Sequence, residues 1–295
     1  MLFPTIRKMI KSQIFIITIC YLILLPSCNR DAMAPQKEAP FDFNSIGVSH
    51  NKGLEYSLNF INTNRGTDKI SLPQLLKLNK AASIEYILKT YPNLSESNRV
   101  TIISKMESLN QVFIKNVDGR TNDAADEMQA MLDQISPNLT ATQKNHINNI
   151  FSTVVNLDYD INAIQASLNS IESQANALPY EEGGIVLAAV SVARNSSYYW
   201  NENIDSWVNV GFGDGGGNIP RTEGPIRWGG VAAADVAGAV IMGGGLKLLG
   251  LIPEIGWAAW GIATGGYALL ASGGAALVYY NQPSSTHTSV VPNIP

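Results

Sequence analysis

The sequence predicts an all-α protein, a helical bundle followed by a Gly/Ala-rich helical hairpin. Three observations predict it. Apolar residues recur at helical spacing through segment after segment from residue 46 to about 178. Strand-like alternation flanked by paired turn signals is missing. The last third of the chain holds two Gly/Ala-rich apolar arms of 20 to 26 residues around a Pro-containing turn.

The chain opens with Arg7, Lys8 and Lys11, then the apolar run Ile14–Leu25, then Pro26-Ser27-Cys28. A basic stretch, a short apolar stretch and a small residue before the cut make a secretory signal. The apolar run has 12 residues, too few to cross a bilayer comfortably, which takes about 20. Leu25-Pro26-Ser27-Cys28 resembles the lipobox of bacterial lipoproteins, with Pro26 a departure from its usual pattern. The resemblance implies cleavage of 1–27, acylation at Cys28 and attachment to a bacterial membrane, with the outer membrane expected. Two or three acyl chains hold stably where one is marginal. The other cysteine, Cys20, lies in the apolar run, so the processed chain has no cysteine pair for a disulfide or a metal site. Residues 28–45 are polar with two prolines and read as a tether.

Residues 46–210 read as the bundle. In 71–91 the apolar positions are Leu75, Leu76, Leu78, Ile84, Ile87 and Leu88, and Pro73 suits a first turn. In 95–114 they are Val100, Ile103, Met106, Leu109 and Val112. Segments 121–135, 140–157 and 158–178 follow, the first with Thr121 or Asn122 as N-cap. Pro92, Asp118-Gly119, Ser136-Pro137 and Pro179 separate them, giving five or six helices in all. Ile185–Ala193 is apolar all round, the mark of a buried helix. Residues 211–227 begin with six glycines and two prolines in fifteen positions and read as a linker.

Residues 228–281 read as the hairpin and 282–295 as a polar tail. One arm runs from Val231 to Leu251 and the other from Ile255 to Tyr280, and the second carries no charge. At about 1.5 Å per residue each arm is as long as a bilayer's hydrocarbon layer is thick. Thirteen glycines between Gly229 and Gly274 suit a solvated helix poorly, since each costs about 1 kcal/mol relative to Ala. Small residues recur at helical spacing at Ala234, Gly238 and Gly243 in one arm and at Gly261, Gly265, Ser272 and Ala276 in the other. Such rows let helix backbones approach closely in lipid. Trp228, Trp257, Trp260, Tyr279 and Tyr280 stand near the arm ends, where aromatic rings favour the headgroup level. Asp235 and Lys247 fit this picture least. Twelve positions apart on one helix, they cannot pair with each other, and each needs an interface or another partner.

On these residues the stretch from Trp228 to Tyr280 resembles the glycine-zipper segments of membrane-active bacteriocins. The layout is similar to pore-forming colicins, in which a helical bundle sheathes an apolar hairpin. Those resemblances imply membrane lipid as a partner and self-association through the hairpin. The same residues also allow a non-catalytic binding or structural lipoprotein with the hairpin buried in a soluble bundle.

Other chemistries find little support. After residue 27 the chain has 17 basic and 24 acidic residues, a net charge of −7, which argues against nucleic-acid binding. The glycines from Gly211 to Gly217 lack the Lys-Ser/Thr of a phosphate loop. Asp158, Asp160 and Asn162 begin like a calcium loop, but Ala163 and Asn169 occupy its Gly and Glu positions. His50, His146 and His287 have no acidic or thiol partner at ligand spacing and read as surface or helix-end residues. Around His50, a capping role for Ser49 or Asn51 is expected. No catalytic residue, metal site or cofactor is expected, and the protein reads as a non-enzyme.

Overall fold

In chain order the computed structural model has helices α1 (Asn44–Asn64), α2 (Leu72–Thr90), α3 (Glu96–Val117), α4 (Ala141–Asn156), α5 (Ile161–Asn176), α6 (Tyr180–Phe212) and α7 (Gly229–Leu248). A 3-10 turn, Ser136–Asn138, precedes α4. The structure describes residues 41–66, 71–117, 135–156, 160–212 and 228–248, and single positions at 129, 132, 133, 261, 264–266, 268, 270–273 and 294. The described positions from 261 to 273 are helical. No strand occurs among the described residues, so the protein is all-α. Several expectations lie outside the described residues: the signal segment, Cys28, the tether up to residue 40, Thr121 and Asn122, residues 213–227 of the linker, the turn at Leu251–Glu254, and Trp257, Trp260, Ala276, Tyr279 and Tyr280. Asn44 and Ser45 at the end of the expected tether, and Gly211 and Phe212 at the start of the expected linker, are helical.

Local chemistry sets most helix starts. Gln74 accepts the backbone N–H of Ser71 (2.8 Å), and Pro73 lies in the first turn of α2. Thr140 and Gln143 exchange side-chain and backbone bonds at the start of α4, a reciprocal capping box. Asp160 accepts the N–H of Ala163 (2.9 Å) and caps α5, so this acidic residue serves a helix start. One start differs from expectation. Asp42 accepts the N–H of Asn44 (3.0 Å) and begins α1 there. Ser49 and Asn51 are therefore interior positions, not caps. Ser49 meets the hydroxyls of Tyr86 and Tyr91 instead, and Asn51 donates to the Asn195 carbonyl.

Helix α6 organises the rest. It has 33 residues, about 50 Å of helix, and packs against α1, α4, α5 and α7. Every residue from Gly183 to Ala193 is buried, as its all-round apolar pattern requires. Helix α1 crosses it closely at Gly47, whose N–H donates to Ser191 Oγ (3.0 Å). A Cβ on Gly47 would overlap the Ser191 carbonyl, so glycine is what permits this crossing. Helix α2 packs on α1, α3 on α2, and α4 touches α6 and α7. Trp200, Trp207, Phe151, Leu54, Ile61, Leu75, Leu76 and Met106 are the largest fully buried side chains.

Candidate functional site

The most distinctive chemistry lies where α7 enters this core. Asp235, in its second turn, is 0% exposed. One carboxylate oxygen lies 2.8 Å from His50 Nε2 of α1. The other accepts the Trp200 indole N–H (2.7 Å) and the Ser196 hydroxyl, both from α6. His50 is 1% exposed, and Ser196 and Trp200 are fully buried. Three helices, drawn from positions up to 185 residues apart, thus close on one carboxylate.

Sequence logic explains each contribution. Ser196 and Trp200 are four apart on α6, so they share a face and reach the same acceptor. On α1, Asn51 orients the imidazole, with its Oδ1 3.0 Å from His50 Nδ1. The Asn51 amide is itself turned by its donation to the Asn195 carbonyl (2.9 Å). Both ring nitrogens therefore face side-chain oxygens. Around the indole, Trp207 lies 5.4 Å from Trp200 and donates to the Tyr199 hydroxyl (2.9 Å). Burial pushes the Tyr199 phenol well above its ordinary range, with the nearby Glu55 and Asp235 charges adding to it.

This arrangement corrects the reading of two of the histidines; His287 lies outside the described residues. His50 is a buried partner of an acidic residue far off in sequence, not a surface or helix-end group. His146 is also buried. The geometry is not that of a catalytic triad. Ser196 donates to the carboxylate itself, His50 bonds that same carboxylate and not the Ser196 hydroxyl, and every member is closed to solvent. No group of three or more metal-ligating side chains occurs among the described residues.

The small-residue row also finds a place. Ala234, Gly238 and Gly243 of α7 are buried, as are Gly261, Gly265 and Ser272. Their neighbours, where known, are parts of the bundle. A Cβ on Gly265 would sit 3.4 Å from the Ile46 carbonyl of α1. One on Gly273 would sit 2.5 Å from Asn79 Oδ1 of α2. Asn79 Nδ2 also reaches the Leu270 carbonyl at 3.4 Å. Close approach, expected between two hairpin arms, is seen here between the C-terminal segment and α1 and α2. Trp228, expected at a headgroup level, is buried in protein at 3% exposure. Among the described residues, no helix is long and apolar enough to cross a membrane.

Sequence reasoning stated that Asp235 needs a partner but did not find it. The usable signal was a lone acid in an apolar helix set against a lone histidine, with a Ser and a Trp at helical spacing in a third segment. Comparison with protein-family models, curated proteins and solved structures finds no match to this chain.

Proposed function

We propose that this is a non-catalytic, lipid-anchored helical protein of the bacterial envelope, in which the Gly/Ala-rich C-terminal segment is bundle core and the outer helix surfaces bind a partner. The buried Asp235 cluster carries the reading. Moving α7 into lipid would strip the carboxylate of His50, Ser196 and Trp200 together. It would then stand unpaired in hydrocarbon, at a cost of about 3 kcal/mol or more. The sequestered bundle position leaves it fully paired. The anchor at Cys28 and the envelope location rest on the sequence pattern of residues 1–28.

The test is alkaline-carbonate extraction of the Cys28→Ser chain, which removes the acyl anchor, together with dye leakage from liposomes. The proposal expects release into the supernatant as a folded helical protein and no leakage. Retention in the membrane pellet with dye release would overturn it and make the C-terminal segment a membrane element of the bacteriocin-like kind.

A further inference from the structure

Helices α4 and α5 are in contact, and a groove lined mostly by uncharged polar side chains runs along the seam between them. On α4 the seam positions are Asn149, Ser152, Thr153 and Asn156, and on α5 they are Ser167, Ser170, Ile171 and Gln174. Both sets follow the spacing i, i+3, i+4, i+7, one face of each helix, and flank the buried apolar positions Ile147, Ile150, Phe151 and Val154 of α4 and Ile164, Leu168 and Ala175 of α5. Here seven of the eight are uncharged polar residues and none is charged. The seam stays open as a groove of about 440 Å³, inside the range of small-molecule sites, roughly 300–1,000 Å³. Thr153 and Ser167 share a hydroxyl hydrogen bond across it (2.9 Å), and Thr153 and Ile171 are its buried members. Asn149, Ser152 and Asn156 make no side-chain hydrogen bond among the described residues, and all three are exposed.

We infer that this groove is a binding site for a neutral saccharide. Each side-chain amide offers donors and an acceptor, and each hydroxyl offers both. That set complements a ligand with closely spaced hydroxyl groups, each of which donates and accepts. An anion or cation finds no opposite charge in the groove to offset its desolvation. An apolar ligand finds only Ile171 and the Thr153 methyl group. A docking protein helix would gain little for the same reason, since helix-in-groove recognition rests on buried apolar anchors. The inference is independent of the proposed function, because it rests on α4 and α5 and not on α7.

The experiment is a backbone-amide NMR titration of the Cys28→Ser chain with cellobiose, maltose and di-N-acetylchitobiose as probes. The expected result is saturable shifts with at least one disaccharide, at millimolar concentration, confined to the two stripes. The double variant Asn149→Ala/Asn156→Ala should bind that disaccharide about tenfold more weakly. It should retain the parent melting temperature, since both residues are exposed and unbonded. A polar, uncharged Asn/Ser peptide is titrated in parallel. Absence of saturable shifts with all three sugars overturns the inference, as do shifts elsewhere on the surface or shifts unchanged in the double variant. Shifts with the peptide and none with the sugars overturn it too and make the seam a protein-docking surface.

Discussion

Replacing Asp235 with Ala tests the cluster most sharply. The substitution removes one acceptor group that serves three donors, all closed to water. His50, Ser196 and Trp200 are then left facing a space that no polar atom fills. Each unsatisfied buried donor costs about 1–3 kcal/mol. Because the three donors share one carboxylate, these effects overlap, and we expect a total of about 4 kcal/mol. Against a whole-protein stability of about 5–15 kcal/mol, that is a large fraction. For a chain of this size it lowers the melting temperature by about 10 °C. The assay is thermal and urea unfolding followed by far-UV circular dichroism. A second variant separates the histidine contact from the other two. His50→Leu/Asp235→Leu removes His50 along with its acceptor and should recover about a third of the loss, since Ser196 and Trp200 still lack an acceptor. A loss below about 1 kcal/mol for Asp235→Ala would refute the reasoning, as it would mean that water already reaches the carboxylate.

Four further outcomes follow from the structure. Gly47→Ala drives a methyl group into the Ser191 carbonyl and should destabilise by about 2 kcal/mol, within the usual overpacking range. Gly230→Ala meets nothing within 4 Å and should be neutral or stabilising by up to about 1 kcal/mol, because Ala is the better helix former; paired urea melts compare the two. Thr140→Ala removes the acceptor for the Gln143 N–H and the bond to Glu182 (2.7 Å), and should cost about 1 kcal/mol in the same melts. Tyr199 is held neutral by burial, so its folded value lies above the unfolded one. Its contribution is fully present below the unfolded value of about 10 and is lost as pH rises beyond it. In an alkaline titration by phenolate absorbance, Tyr199 should ionise only as the fold opens, and Tyr199→Phe should lose that late step.

Much of the bundle was legible because its signals are local. The periodic apolar positions of 71–91 and 140–178 became α2, α4 and α5, with Pro73 in the expected first turn. Ile185–Ala193 was legible as buried because a helix without a polar side has no face for water. The start of α1 was misplaced because Ser49 and Asn51 look like caps in sequence, yet their partners are Tyr86, Tyr91 and the Asn195 carbonyl from other helices. The Asp235 cluster was half legible. The cost of an unpaired acid in an apolar helix is a local argument, whereas its pairing with a histidine 185 residues earlier is a product of tertiary packing. The small-residue rows were found, but composition does not say which helix they approach. Gly265 lies near Ile46, and Gly273 lies against Asn79.

Native-state hydrogen exchange on the Cys28→Ser chain reads whether α7 is bundle core, held by Asp235, in the absence of lipid. The amides of Val231–Met242 should exchange only with global unfolding, alongside those of Ile185–Ala193, and adding liposomes should leave this unchanged. Rapid exchange of α7 in solution, with protection appearing only when liposomes are added, would contradict it.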